Sequence, residues 1–175
     1  GILSEERKAH KSLRSKINFW LSECIECKYR KKIHNWIFIS NYNKNLNQDL
    51  IKLGINNKLI YNPVNPLYYE VKVTTFNNQS VYFVGVLTYR KGIHILVEAL
   101  GKVKNNIHAN VIGGFGSNEY RKQIKNLINR VGKQENVTFY GWKNSTEIQD
   151  IVTNDLFMIL PSYQETLPVV IAEAM

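Results

Sequence analysis

An alternation of strand-like and helix-like segments, running from residue 80 to residue 175, constrains the fold of this chain most. Short apolar runs are each followed by a stretch in which apolar residues recur at three- and four-residue spacings. The predicted strands are 81–85, 109–112, 136–140 and 156–160, and the predicted helices between them are 91–103, 120–131 and 146–152. This alternation predicts an α/β fold, a parallel sheet with helices on both faces.

A shorter alternation precedes it. The apolar run 36–40 predicts a strand, Leu46, Leu50 and Leu53 predict a helix that Gly54 ends, and 58–61 predicts a second strand. A strand, a helix and a strand in this order make half of a Rossmann unit. We therefore expect two domains joined by a linker, with 1–66 in the first, 67–79 as the linker and 80–175 in the second.

The N-terminal segment is basic and has helical periodicity. Apolar residues at three-, four- and seven-residue spacings predict an amphipathic helix over residues 2–27. Residues 1–34 contain nine Lys or Arg and four Glu, so they carry +5 of the net charge of +9. Residues 28–32 continue the basic face. This face is either a solvated surface or a contact for anionic lipid headgroups.

Composition narrows the class further. The chain has 175 residues, of which 44% are hydrophobic, which is enough for a core. It has no apolar run of 18 residues and no signal-peptide pattern, and it starts at Gly1 and ends at Met175 in the first turns of a predicted helix. We expect an internal part of a longer protein that is cytoplasmic, or peripheral at the inner face of the membrane.

The two cysteines and four histidines carry little functional signal. Cys24 and Cys27 are too few for a disulfide scaffold, and as a Cys-x-x-Cys pair they favour ordinary buried thiols over half a zinc or redox site. The histidines at 10, 34, 94 and 108 fall at no motif position, so none is assigned a role. No metal site is predicted.

The last stretch, 160–175, has the pattern of an anion-binding site. A turn at Pro161 follows the predicted strand 156–160 and opens into a helix that Thr166 can cap and that begins at Pro168. Free amides at a helix N-terminus favour a phosphate. Glu165 and Glu173 flank the turn, and carboxylates accept hydrogen bonds from hydroxyl groups, which sugars carry in number.

Other polar and glycine-rich segments follow the predicted strands at the edge where ligands of parallel sheets bind. Gly85 lets the backbone approach a ligand, and Arg90 and Lys91 supply cations for phosphate before a helix. Gly113 begins a glycine-rich turn, which either contacts the ligand or only shapes the backbone. Trp142 follows the strand 136–140 and is expected either to stack on a base or to pack in the wall of the cleft.

The segment Pro161-Ser162, Glu165, Pro168 and Glu173-Ala174-Met175 resembles the signature of family 4 retaining glycosyltransferases, which have the two-domain GT-B fold. The resemblance implies that Glu165 contacts the transferred sugar and Glu173 the nucleotide ribose. It also implies that the backbone amides of three residues between them bind sugar and diphosphate; these are Thr166, Leu167 and Val169.

Two further segments carry the resemblance. Gly85 and the Lys91-Gly92 pair are similar to the family's glycine loop and its Lys-Gly pair, which implies that Lys91 binds the donor diphosphate. Residues 62–65, Asn-Pro-Val-Asn, resemble the segment at which the family's chain leaves its first domain for its second. One position departs from the pattern, because Val86 stands where the family usually has arginine after the glycine, and we expect Arg90 to substitute for it.

The resemblance implies a truncated C-terminal donor domain preceded by the tail of the N-terminal acceptor domain. The implied activity is retaining transfer of a hexosyl group from a nucleoside diphosphate sugar to a lipid-linked or saccharide acceptor, in cell-surface polysaccharide or glycolipid synthesis. Catalytic roles fall on Glu165 and Lys91, with no cofactor beyond the sugar nucleotide and no nucleic acid partner. The alternative is an inactive binding module that uses its basic N-terminal helix to hold membrane or nucleic acid.

Overall fold

The computed structural model describes residues 13–70, 77–153 and 155–175. The chain divides into two compact units, Gly1–Pro63 and Val64–Met175. Residues 2–12 of the predicted N-terminal helix and 71–76 of the predicted linker lie outside the described residues.

The first unit contains a two-stranded parallel sheet. Its elements are α1 (Leu13–Arg30), β1 (Asn35–Phe38), α2 (Asn41–Asn45), α3 (Gln48–Lys52) and β2 (Asn56–Leu59). β1 pairs with β2 in parallel, with Asn35 opposite Asn56. The predicted strand, helix and strand are present, but the helix is divided at Asn47, whose backbone leaves the helical region (φ −117°, ψ 32°).

Helix α1 confirms the predicted helix over its described part, but several of its apolar side chains face outward. Ile17, Trp20 and Ile25 are each at least half exposed. Cys24 and Cys27 are exposed free thiols, so the prediction of buried thiols is wrong. The pattern 28–32 is not uniformly a solvated basic face either. Arg30 turns inward and donates two hydrogen bonds to Asp49, at 2.7 and 2.9 Å.

The second unit is the larger α/β layer. After a short 3-10 helix (Pro66–Glu70) come β3 (Asn77–Val84), a 3-10 turn (Tyr89–Lys91), α4 (Ile93–Lys102), β4 (His108–Ile112), α5 (Asn118–Val131), β5 (Val137–Gly141), α6 (Ser145–Val152), β6 (Asp155–Met158) and α7 (Val169–Ala174). Each predicted strand and helix of residues 80–175 therefore exists. The largest boundary difference is at β3, which begins within the predicted linker.

The four strands form one parallel sheet in the order β5-β4-β3-β6. α4 and α5 pack together beside it. Because parallel crossovers are right-handed, the return connection through α6 runs on the opposite face from α4 and α5. The predicted fold class, parallel strands flanked by helices, is confirmed.

The core of this unit lies between the sheet and helices α4 and α5. Its central residue is Phe83 on β3, which is fully buried. The other members come from β4 and from the inner faces of both helices, and include Ile93, Leu96, Val97, Val111, Ile124 and Ile128. The core therefore fixes the strand that carries the candidate site, together with the start of α4.

Gly92 joins the 3-10 turn to α4 in a left-handed conformation (φ 71°, ψ 23°). A side chain here would be strained, and its Cβ would overlap the backbone carbonyl of Pro161. Gly92 therefore allows the loop after β6 to approach the start of α4.

We expect Gly92→Ala to destabilise the full-length protein more than the matched change Gly132→Ala. Gly132 also has a positive φ (67°), but a Cβ added there would meet no atom within 4 Å. Both changes cost about 1 to 2 kcal/mol of backbone strain, and overpacking against Pro161 adds about 1 to 3 kcal/mol for Gly92. Urea unfolding measures both, and equal losses would contradict the close approach.

Candidate functional site

The candidate site lies where the strand order of the parallel sheet reverses. From β3 the chain moves outward through β4 to β5 and then returns to place β6 on the other side of β3. Ile159, which follows β6, donates its amide to the carbonyl of Tyr82 at 2.8 Å. In open α/β sheets, ligands bind beyond the carboxyl ends of the two strands at such a point.

Lys91 and Glu165 meet at this crevice although 74 residues separate them in sequence. Lys91 follows β3, Glu165 follows β6, and the Lys91 Nζ donates to the Glu165 Oε1 at 2.6 Å. The two side chains are only 18% and 19% exposed. The sequence analysis assigned both residues to donor binding, and the structure brings them into direct contact.

Opposing effects set the pKa of Glu165. Burial of the carboxyl raises the pKa, but the hydrogen bond from Lys91, the nearby Ser162 hydroxyl and the charges of Lys91 and Arg90 outweigh burial and hold it below the usual value. The Ser162 Oγ is buried without a hydrogen bond of ordinary geometry to any described residue, so its effect on Glu165 is one of proximity. Glu165 is therefore ionised at neutral pH.

Arg90 holds the loop that carries Glu165. Its backbone carbonyl accepts from the amide of Tyr163 at 2.9 Å, and its guanidinium donates to the carbonyl of Gln164 at 3.0 Å. The guanidinium therefore lies at the crevice, whereas Val86, where the family usually has arginine, is 39% exposed. The expectation that Arg90 substitutes for that arginine remains a prediction.

Backbone hydrogen bonds join the loops that follow β3, β4 and β5. Gly85 donates to Ile112 at 3.0 Å, Leu87 donates to Gly114 at 2.8 Å, and Gly113 donates to Gly141 at 2.8 Å. A Cβ at Gly113 would overlap the carbonyl oxygen of Gly85. Gly85 and Gly113 thus allow the three loops to lie together at the carboxyl edge.

Trp142 lies at the same edge, just beyond β5. Its indole ring lies across the backbone of Gly114, where an added Cβ would overlap the indole Nε1, yet the side chain is 71% exposed. Trp142 therefore both packs on the glycine turn and offers an open ring surface, and stacking on a base remains a prediction.

The loop after β6 differs from the prediction at its helix start. Helix α7 begins at Val169, and the residue before it, Pro168, has an extended conformation (φ −75°, ψ 97°) with no side-chain cap. The prediction that Thr166 caps this helix is therefore wrong. Thr166, Leu167 and Val169 are half-buried beside Glu165, and their contact with a donor remains a prediction.

Glu173 is half-buried on α7, and burial raises the pKa of its carboxyl. Tyr68 lies on the 3-10 helix before β3. Burial raises the pKa of its phenol, the Ser145 hydroxyl lowers it by hydrogen bonding, and the nearby charge of Glu173 raises it further. The side chain of Gln149 on α6 holds that segment by donating to the carbonyl of Leu67 at 3.0 Å. Sequence reasoning assigned this segment only to the linker.

Sequence reasoning also missed a cluster at the start of α4. His94 lies between the hydroxyl groups of Tyr120 and Tyr163, at 2.8 and 3.0 Å, and Tyr89 stacks on its ring with centroids 4.5 Å apart. A signal was available, because His94 follows the Lys91-Gly92 pair by two residues. A lone histidine in an apolar helix is more often structural than functional, so His94 was given no role from that position.

Two features of the described residues bear on other kinds of site. In the parts of the chain that the structure describes, no group of three His, Cys, Asp or Glu side chains could hold a metal ion. Over the same residues, none of the helices combines the length and the apolar character needed to cross a bilayer.

A family model described as glycosyl transferases group 1 matches residues 72–175, more than half of the chain. The chain belongs to this family. The match covers all the residues assigned to the site, from Gly85 to Glu173. Family 4 is a narrower group, and the resemblance of residues 161–175 to it is compatible with this match.

Individual relatives agree with the family. The chain is 27% identical over 131 residues to the uncharacterized glycosyltransferase MJ1607 of Methanocaldococcus jannaschii, a match that covers 67% of this chain and 33% of that protein. Among solved structures, Anabaena Alr3699/HepE in complex with UDP-glucose is 25% identical with a TM-score of 0.65, over 79% of this chain and 41% of that one.

Sucrose-phosphate synthase from Thermosynechococcus elongatus matches more of the chain at lower identity. It is 18% identical with a TM-score of 0.71, over 99% of this chain and 45% of that one. These neighbours are GT-B glycosyltransferases, and the GT-B class of the fold is thereby confirmed. The chain spans about a third to under a half of the relatives it matches.

We expect Lys91→Met to destabilise the protein in a pH-dependent way. The folded-state pKa of Glu165 is depressed, so its stabilising contribution is present above the unfolded pKa and is lost as pH falls through the folded pKa. The stability difference between wild type and Lys91→Met should therefore be largest at neutral pH and should disappear in acid. Urea unfolding between pH 7 and about pH 3 measures it.

The matched control is Lys143→Met, which breaks the exposed pair between Lys143 and Glu147, also 2.6 Å long. Such a solvent-exposed pair contributes little to stability. A loss in Lys91→Met that is no larger than in this control, or that does not change with pH, would show that the buried pair is not what lowers the pKa of Glu165.

Proposed function

We propose that the protein containing this chain is a retaining glycosyltransferase that moves a hexosyl group from a nucleoside diphosphate sugar to an acceptor hydroxyl. The observation that carries the proposal is the contact of Lys91 with Glu165 at the crevice between β3 and β6. This contact puts a cation for the diphosphate and a carboxylate for sugar hydroxyls at one point of the sheet edge.

Family membership supports glycosyl transfer. A structural neighbour, HepE, holds UDP-glucose, which makes a nucleoside diphosphate sugar the natural donor class to test. Retention and the hexosyl group come from the resemblance of residues 161–175 to family 4. We also propose a lipid-linked or saccharide acceptor, in cell-surface polysaccharide or glycolipid synthesis.

Two carboxylates near a glycosidic bond would suit a double displacement through a covalent intermediate. We propose front-side attack instead, since the family 4 enzymes that residues 161–175 resemble are not known to use a protein nucleophile. The acceptor oxygen forms a bond to the anomeric carbon while the bond from that carbon to the diphosphate oxygen breaks. The departing diphosphate keeps the bonding electrons and takes the proton of the acceptor hydroxyl.

On this mechanism the protein acts mainly by stabilising negative charge on the departing diphosphate. Lys91 and Arg90 supply positive charge at the crevice, and the amides of Thr166, Leu167 and Val169 supply further donors. Glu165 orients the sugar through its hydroxyl groups. No metal and no cofactor is proposed beyond the sugar nucleotide, because these groups together can carry out the work of a cation.

The rest of the donor is assigned to the loops around the crevice. Gly85 and Gly113 are assigned to the donor as backbone positions, because the loops that carry them lie together at the carboxyl edge. Trp142 offers an open ring on which a base can stack. Glu173 accepts hydrogen bonds from the ribose, and its half-buried carboxyl and raised pKa distinguish it from a solvated surface Glu.

We expect Glu173→Ala to weaken nucleotide binding and Glu165→Gln to lower turnover with little effect on binding of the bare nucleotide. Glu173 is assigned to the ribose of the nucleotide, whereas Glu165 is assigned only to the transferred hexose. The measurement is the thermal shift of the full-length protein with UDP, GDP, ADP and dTDP and their sugars. A nucleotide at about 100 times its dissociation constant stabilises the fold by roughly 2.7 kcal/mol.

The control is Glu135→Ala, which removes an exposed carboxylate from the 3-10 segment Gln134–Asn136 before β5, at the amino end of the strands and away from the crevice. It should leave the shift by the nucleotide unchanged. If none of the nucleotides shifts the melting temperature of the wild type, or if both site variants keep full transfer activity, the proposed donor site is wrong.

A second role is favoured by the surface of α1. Ile17, Trp20 and Ile25 are exposed on this helix, and three exposed lysines follow at its end. These lysines are Lys28, Lys31 and Lys32. Exposed aromatic and aliphatic side chains beside lysines suit the interface of an anionic membrane. We propose peripheral contact there, with the protein otherwise cytoplasmic.

For this contact we expect Lys31→Gln with Lys32→Gln to weaken binding to phosphatidylserine vesicles by about 1 kcal/mol per lysine. The matched control is Lys122→Gln with Lys125→Gln on α5. Co-sedimentation of the full-length protein at low and high salt measures both. If vesicle binding is unchanged by salt and by both pairs of substitutions, the membrane contact is rejected. If RNA binding is likewise unchanged by salt and by both pairs, the nucleic acid alternative is rejected.

A further inference from the structure

An imidazole and three phenol rings form one cluster beside the candidate site. The His94 cluster consists of Tyr89 on the 3-10 turn, His94 on α4, Tyr120 on α5 and Tyr163 on the loop after β6. Tyr163 stacks on Tyr89 with ring centroids 5.5 Å apart. Tyr120 is buried, whereas Tyr89 and Tyr163 are about half exposed. The cluster therefore joins the 3-10 turn, α4 and α5 of the second unit to the loop that carries Glu165.

Both ring nitrogens of His94 have a hydroxyl partner. The Nδ1 lies 2.8 Å from the Tyr120 hydroxyl and the Nε2 lies 3.0 Å from the Tyr163 hydroxyl. In a neutral imidazole one nitrogen donates and the other accepts, and a tyrosine hydroxyl can do either, so both contacts are satisfied in either tautomer. The imidazole therefore bridges α5 and the loop after β6.

Burial lowers the pKa of His94, although the negative charge of Glu98 on the same helix works against it, and burial raises the pKa of Tyr120 to about 12. Tyr120 thus keeps its proton, and His94 is neutral at pH 7.

The cluster reaches Glu165 through the backbone of its own loop. Tyr163 donates its amide to the carbonyl of Arg90 at 2.9 Å, and the next residue, Gln164, accepts from the Arg90 guanidinium. Glu165 follows and is bound by Lys91, the neighbour of Arg90. The phenol of Tyr163 is the contact that ties this loop to α4.

We propose that His94 is a positioning residue: through Tyr163, its imidazole holds the loop that places Glu165 against Lys91. The catalytic consequence rests on the proposed function. The groups that face the imidazole are Tyr89, Tyr120 and Tyr163 from the three other elements and Glu98 from its own helix. Loss of the imidazole's hydrogen bonds would therefore lower turnover by loosening the loop that carries Glu165.

The first test does not depend on turnover. Hydrogen–deuterium exchange of the full-length protein at pH 7 follows the amide of Tyr163 in peptides that cover residues 161–167. Tyr163→Phe and His94→Phe remove the hydrogen bonds but keep the rings, and exchange should become roughly 3- to 10-fold faster. His94→Gln should stay near wild type, because its amide can accept from Tyr120 and donate to Tyr163.

The control is Tyr140→Phe, which removes a tyrosine hydroxyl that donates to Asn110 on the neighbouring strand at 3.1 Å. It should leave exchange of residues 161–167 unchanged. If Tyr163→Phe and His94→Phe exchange no faster than Tyr140→Phe, the imidazole does not hold the loop, whatever reaction the protein catalyses.

The second test is the kcat and KM of transfer at pH 7. His94→Phe should have a kcat roughly 3- to 10-fold lower than wild type, with the KM for the donor little changed, and His94→Gln should keep most of the wild-type kcat. A purely structural role would lower the melting temperature of His94→Phe and leave the kcat of the folded protein at the wild-type value.

The two tests separate the possible failures. Should wild type transfer no sugar from any donor, the proposed function fails, and the exchange measurement alone decides whether His94 positions the loop. Should transfer occur with the same kcat in wild type and His94→Phe, the inference about His94 is overturned while the proposed function stands.

Discussion

The pairing of β6 with β3 is the constraint on which the rest of the site depends. β6 is the last strand of the described chain, and it lies against β3, the first strand of its sheet. This pairing brings two segments together that are far apart in sequence, one carrying Lys91 and the other carrying Glu165. The buried core around Phe83 holds β3, and Gly92 lets the loop after β6 come close.

The ion pair at this edge has a defined electrostatic state. Lys91 and Glu165 are both largely buried, and a buried charge is costly without a partner. Pairing with Lys91 keeps the Glu165 carboxylate ionised. A diphosphate would offer Lys91 a second anionic partner, and Glu165 would then be free to accept from sugar hydroxyls. The pair is thus a preorganised arrangement as well as a structural link.

Local periodicity made the elements of the second unit predictable. The helices that pack on the core have their apolar residues at regular spacings, as with Leu96, Val97 and Leu100, and all three are buried. The residue types of the site were predictable too, because Lys91 and Glu165 stand in motifs. Their direct contact was not predictable from residue spacing, since nothing within either segment encodes the neighbour that β6 takes in the sheet.

Other differences have local physical reasons. Thr166 was expected to cap a helix, but the extended backbone at Pro168 delays its start to Val169. Cys24 and Cys27 were expected to be buried, but their faces of α1 are exposed. The place of His94 two residues after the Lys91-Gly92 pair was a signal, but its partners Tyr120 and Tyr163 come from two separate segments and reach it only in the folded unit. Side-chain networks of this kind depend on tertiary structure.

The most direct measurement of the central claim is a crystal structure of the full-length protein with a non-hydrolysable nucleoside diphosphate sugar. The account predicts that the Lys91 Nζ lies within hydrogen-bond distance of a diphosphate oxygen and that the Glu165 carboxylate accepts from a hydroxyl of the sugar. A donor bound away from the crevice between β3 and β6, with the Lys91–Glu165 pair unchanged, would contradict it.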